Sequence, residues 1–117
     1  TENMQTGRTG NEILLASLAQ GRAEGLRPSI YTHPLGSYGH SAGTTIGMWD
    51  SQGGVPVNGD YPLHEHTAYA IELNTTVYIE EWKRDIRIML EEAGYWGAGA
   101  FEYVNERQTA IKPIAIR

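Results

Sequence analysis

The sequence predicts an α+β fold: one helix near the amino terminus, then a mainly antiparallel, curved sheet. Three observations carry that reading. Thr9-Gly10-Asn11-Glu12 matches a capping box, and a rough helical stripe of Ile13, Leu14, Ala16, Leu18 and Ala19 follows it. Ile86, Ile88 and Leu90 alternate with Arg87, Met89 and Glu91, the period of a strand. The helical pattern comes once and the strand patterns follow it without alternation, which argues against a parallel βαβ architecture.

Taken in order, residues 1–8 are polar and read as a turn or frayed end. A helix is expected over about 10–24, with Thr9 as N-cap and Gly25 in the C′ position that ends it. Leu26–His33 reads as a strand leading to a histidine, with Pro34 and Gly36 breaking regularity after it. The segment 36–62 holds seven glycines and two prolines, so it is expected to be mostly loop, with Thr44–Trp49 its best strand. Thr67–Leu73 is expected to be a strand and Thr75–Glu81 its hairpin partner, with the turn near Asn74. Asp85–Glu91 is the next strand, and Gly94, Gly97 and Gly99 mark a further turn.

Composition narrows the function classes. The 117 residues suit one small domain or a piece of a larger one, and 40% hydrophobic content is enough to bury a core. A net charge of −5, with no run of Lys or Arg, argues against a nucleic-acid partner and against an anionic membrane surface. No apolar stretch approaches the length of a membrane span. The chain has no cysteine, which excludes disulfides and thiolate metal sites and leaves the compartment open, with the cytoplasm favoured.

The chemistry is concentrated in a few residues. His33 and His40 lie seven residues apart, with Gly36 three after the first. Glu72 and Glu91 follow in apolar strands. Imidazole and carboxylate groups on rigid strands are the usual ligands of hydrolytic metal ions, and neighbouring strands can bring His33, Glu72 and Glu91 together. His40, in a glycine-flanked loop, suits a group that touches substrate. The ordinary alternatives are a solvated histidine and glutamates facing water, with Arg87 and Glu91 a surface pair. His64-Glu65-His66 is a competing cluster: in a strand its two histidines would point the same way and could hold a metal.

The order His33-Pro34-Leu35-Gly36…His40, then Ala70-Ile71-Glu72-Leu73, then Arg87-Ile88-Met89-Leu90-Glu91-Glu92 resembles the carboxyl-terminal half of the pita-bread metallopeptidases, the family of methionine aminopeptidase, Xaa-Pro aminopeptidase, prolidase and creatinase. The likeness covers roughly residues 6–110 and looks closest to the Xaa-Pro branch. It implies half of a pita-bread domain, with 1–117 a single, incomplete domain. It implies two divalent cations (Mn, Co or Zn), with His33, Glu72 and Glu91 as ligands, Glu72 also moving a proton and His40 stabilising the tetrahedral intermediate. The implied substrate is a peptide with a free N-terminus and proline after its first residue. Two further ligands, aspartates on an upstream hairpin, are missing, and Asp50, Asp60 and Asp85 lie in the wrong place to replace them.

The expectation is therefore a chain that is inactive alone, that holds no metal tightly by itself, and that self-associates through the surface left by its missing half. Three departures from the family pattern stand out: Pro34 follows His33 where glycine is usual, Leu73 replaces the proline after the strand glutamate, and Glu91 falls four residues after Arg87 rather than two. These keep two alternatives open, a non-catalytic peptide- or protein-binding module and a metal-free C–N hydrolase of the creatinase type.

Overall fold

The capping box forms as its sequence demands. In the computed structural model, which describes residues 1–116, Thr9 Oγ1 accepts from the Glu12 N–H at 3.2 Å and Glu12 Oε2 accepts from the Thr9 N–H at 2.8 Å. Two donors that the first helical turn leaves without partners are thus satisfied. The helix α1 runs Gly10–Ala23. It ends in a Schellman motif: Gly25, at φ 81°, donates to the Arg22 carbonyl, and Leu26 donates to the Gly21 carbonyl.

Six strands follow: β1 (Arg27–Ile30), β2 (His33–Gly36), β3 (Gly39–His40), β4 (Thr67–Ile79), β5 (Arg84–Gly97) and β6 (Ala100–Tyr103). They form one unclosed sheet in the order β3-β2-β4-β5-β6, with β1 also on β4, and every pairing is antiparallel. The α+β class and the mainly antiparallel sheet are as the sequence predicts. β1 and β2 pair β4 in one continuous register, with Ile30 opposite Leu73 and His33 opposite Ala70. Between them Thr32 leaves the ladder to bridge Ile46, while Tyr31 still donates its N–H to the Glu72 carbonyl at 2.9 Å.

Four expectations change. Asn74 is not at a turn: β4 runs straight through it, because Thr75, Thr76, Val77, Tyr78 and Ile79 are all strand formers and no glycine or proline stops them. The hairpin instead turns at Glu80–Trp82, a single 3₁₀ turn closed by Lys83 in the left-handed region. Pro34 and Gly36 do not break regularity, since His33–Gly36 is itself strand, and His33 opens it rather than closing the one before. Thr44–Trp49 is no strand; it makes isolated bridges at Ile46 and Met48, and Gly47, at φ 77°, bends the chain between them. Gly94, Gly97 and Gly99 do not mark a single turn. Gly94 lies within β5 under the Phe101 ring, and only Gly97 to Gly99 turn.

One face of the sheet is covered and the other is open. Ile13, Leu14 and Leu18 of α1 pack with Tyr69 and Trp96, and Met4, Ile46 and Leu63 complete the buried cluster. Sheet parity puts Ile86, Ile88 and Leu90 on this same face, but beyond the helix, where Ile88 and Leu90 stay about half exposed. Residues of opposite parity, His33, Ala70, Glu72 and Glu91 among them, lie on the face away from α1. Among the described residues no helix is long and apolar enough to cross a membrane.

Candidate functional site

The site is built on the open face of the sheet, and its geometry follows from register. Glu72 lies directly opposite Glu91 across the β4–β5 ladder. His33 lies opposite Ala70, two residues before Glu72 on the same face, so its ring and the Glu72 carboxylate are diagonal neighbours. Ala70, the small residue opposite His33, is buried.

His33 is buried and Glu72 is partly so. The His33 Nδ1 stands 3.0 Å from the Pro34 carbonyl, which can only accept, so Nδ1 carries a proton. The other nitrogen, Nε2, stands 2.7 Å from Glu72 Oε1. In the Nδ1-protonated neutral ring this contact would set one lone pair against another. A proton, on either partner, or a metal ion must lie between them. A backbone carbonyl that fixes the tautomer and leaves Nε2 free is the arrangement found behind metal-bound histidines. Glu72 is braced in turn, since the Thr32 hydroxyl and the Tyr31 N–H both donate to its carbonyl.

His40 comes to the site through the tight β2–β3 hairpin, in which it pairs with Leu35. Its ring stacks on that of His33, with centroids 3.7 Å apart and planes 28° from parallel, and Tyr31 meets both rings. The four side chains that the sequence singles out thus come together in unequal degree. His33 touches Glu72 on one side and His40 on the other, and Glu91 lies opposite Glu72 on the next strand. Among the described residues no three His, Asp or Glu side chains converge on a single point.

The His64-Glu65-His66 cluster does not form the strand that would align its histidines. His66 adopts a left-handed φ of 62° and its ring bonds the Tyr95 hydroxyl, while Glu65 bonds Thr6. That Thr6 hydroxyl, with weaker help from backbone N–H groups, holds the Glu65 carboxyl below the usual carboxylate range. His64 points elsewhere and lines a hollow with His33 and His40. The three downstream aspartates are engaged away from the site: Asp60 with Asn11 and the Val57 N–H, Asp85 with Arg27, and Asp50 with Ser51.

Two open hollows meet at the His33–Glu72 contact. One, of 570 Å³, lies on the His33 side, with His40, Ser41, Tyr61 and His64 in its walls. The other, of 360 Å³, lies on the Glu72 side, with Tyr31, Trp49, Asn74, Arg87 and Glu91 around it. Sequence reasoning gave no role to Trp49, Tyr61 or Asn74. The first two sit in the glycine-rich segment, which has no periodicity to orient them, and Asn74 was masked by its turn propensity. Comparison of the chain with protein-family models, with curated proteins and with solved structures found no match.

Proposed function

We propose that this chain is the carboxyl-terminal half of a pita-bread catalytic domain and supplies three ligands, His33, Glu72 and Glu91, to a dinuclear metal site of an Xaa-Pro aminopeptidase or dipeptidase. The observation that supports this most is the contact of His33 Nε2 with Glu72 Oε1, made with the opposite ring nitrogen already committed to a carbonyl. The donor set, one imidazole and two carboxylates with Glu91 opposite Glu72, fits divalent Mn, Co or Zn. Two aspartates from a preceding segment would complete the set. When bound, such cations supply Lewis acidity at the peptide carbonyl and lower the pKa of water.

The residues of this chain divide the remaining work. His33 and Glu72 form the saddle between the two hollows, so an extended peptide lying across both would present its carbonyl there. The second oxygen of Glu72 can take a proton from the attacking water and deliver it to the leaving nitrogen. His40, stacked beside His33 and opening on the larger hollow, can donate to the carbonyl oxygen as negative charge develops on it.

Two departures from the family pattern favour a second reading, a groove that binds peptides without metal: Pro34 follows His33, and Glu91 falls four residues after Arg87. Titration of the purified chain with Mn²⁺ separates the two. The metallopeptidase reading expects weak binding of one ion, abolished by His33→Ala and by Glu72→Gln. Absence of binding, or binding that survives both substitutions, overturns it. Hydrolysis of Xaa-Pro peptides by this chain alone, stopped by a chelator, would overturn the assignment of two ligands to another segment.

A further inference from the structure

We propose that the free edge of β5 is where a second copy of this chain docks. The two edges pair antiparallel about Met89, and Arg87 of each copy meets Glu91 of the other. The proposal goes beyond the metal reading and does not rest on it.

The backbone of β5 divides its hydrogen bonds by parity. The Trp96 carbonyl accepts from the His66 N–H at 2.8 Å, on the β4 side, while the Ala93 carbonyl accepts from the Val104 N–H at 3.0 Å, on the β6 side. In an antiparallel ladder the N–H and C=O of one residue point the same way, and successive residues alternate. Even-numbered residues of β5 therefore bond β4, and odd-numbered ones face outward. β6 covers only residues 94–97. Past Ala93, the outward groups of Glu91, Met89 and Arg87 meet no strand among the described residues. Such an edge is a template for another strand, and residues 85–91 hold neither the proline nor the lysine that commonly blunts one.

Charge selects the occupant and its register. Pairing centred on Met89 sets Arg87 opposite Glu91 of the second copy and Glu91 opposite its Arg87, two favourable pairs at once. Within one copy neither residue has an ion-pair partner among the described residues. A slip in one direction would set Glu91 opposite Asp85 of the second copy, twice, and like charges directly opposite are destabilising. A slip in the other would set Arg87 opposite Ala93, whose carbonyl is already taken by Val104. In the favoured register the three outward residues exchange about six backbone hydrogen bonds. On the other face Ile88 lies opposite Leu90 of the second copy, and Leu90 opposite its Ile88. These side chains are 44% and 52% exposed, and the rungs without hydrogen bonds bring them closest.

The chain's own tail fits this edge worse. Continued past Val104 in the β6 register it would set Glu106 opposite Glu91, and the chain leaves the ladder there instead. A second copy brings an arginine to the same place, beside the facing carboxylates of Glu72 and Glu91. Arg87 of each copy thus becomes part of the other's candidate site.

Sedimentation equilibrium of the full chain over a concentration series, without added metal, tests this. A reversible monomer–dimer equilibrium is expected. Met89→Pro removes an outward N–H from each copy and nothing from the β4 ladder, and should weaken the dimer about tenfold or more. Arg87→Glu alone and Glu91→Arg alone should each weaken it as well, since each sets like charges across the axis twice. An equimolar mixture of those two variants should form a mixed dimer, because each supplies the charge the other lacks. Unchanged melting temperatures show that the variants fold. Hydrogen exchange reads the edge itself: the Arg87, Met89 and Glu91 amides should become protected only as concentration rises. A monomer at every concentration overturns the proposal, and so does a dimer indifferent to all three substitutions, or a mixture of folded variants that stays monomeric. Protection of the three amides that is independent of concentration would give the edge to the chain's own tail, and overturns it too.

Discussion

Glu72 and Glu91 stand directly opposite each other on the β4–β5 ladder, and Met89 stands opposite Asn74, one rung pair further along the same face. On the proposed metal reading, the register decides which residue of the stretched Arg87–Glu92 motif would share an ion with Glu72. Met89 is on the correct face but two residues away, and its thioether is a poor ligand for hard divalent ions.

Glu91→Gln should therefore weaken Mn²⁺ binding by about 10-fold or more, since ligand and near-ligand changes typically cost one to two decades of affinity. Met89→Leu, which keeps volume and removes only the sulfur, should leave it unchanged. Calorimetric titration of the two variants beside wild type reads both. If Met89→Leu weakens binding and Glu91→Gln does not, the two carboxylates do not share an ion.

How much of this was legible follows from the kind of signal each part leaves. The helix could be placed to within a residue, because Thr9, Glu12 and Gly25 are local devices that act on their own neighbours. The common face of Arg87 and Glu91 was legible for the same reason: strand parity is local. The β4–β5 turn was not. Asn74 is a frequent turn residue, but thirteen paired rungs outweigh one local preference. The commitment of His33 Nδ1 to the Pro34 carbonyl was equally hidden. It depends on a ring orientation that also brings Nε2 to Glu72 and stacks the ring on His40, contacts between segments that no local pattern states. The hollows were least legible, because the loop that brings Trp49 and Tyr61 to their walls is fixed by distant bonds. Chief among these are the Asn11 bonds to Val55 and Asp60.

The junction of helix and loop makes a second prediction. Gly10, first residue of α1, lies so close to the loop that a Cβ on it would come within 2.1 Å of the Thr45 carbonyl oxygen and 2.5 Å of Thr44 Oγ1. The closest neighbour is backbone and cannot swing aside. The Gly10 N–H also donates to that threonine hydroxyl at 3.0 Å, which ties the helix start to the loop. In an isolated helix alanine is the better residue by about 1 kcal/mol. Here Gly10→Ala should instead destabilise the fold by roughly 1–3 kcal/mol, the usual cost of forcing an extra carbon into a packed site. Urea denaturation checks the sign: a stability equal to or above wild type would mean that the loop yields freely.

Tyr69 makes the third prediction, at the alkaline end. Its ring is fully buried in the core, and its hydroxyl donates to the Thr44 carbonyl at 3.2 Å. Burial disfavours the phenolate and pushes the pKa from 10.0 up to about 12. In the unfolded chain the same hydroxyl ionises near its ordinary value. Between those two values the folded state holds a proton that the unfolded state has lost, so stability falls as pH rises through that window. The loss amounts to about 3 kcal/mol once both states are ionised, at 1.36 kcal/mol per unit. Tyr69→Phe removes this term. At neutral pH the variant should be less stable by about 1 kcal/mol, the value of the lost hydrogen bond. The gap should close from pH 10 upward and then reverse. Urea midpoints of wild type and Tyr69→Phe, measured from pH 7 to 11.5, test this directly. A gap that stays constant across the range would mean that the phenol ionises as easily in the fold as out of it.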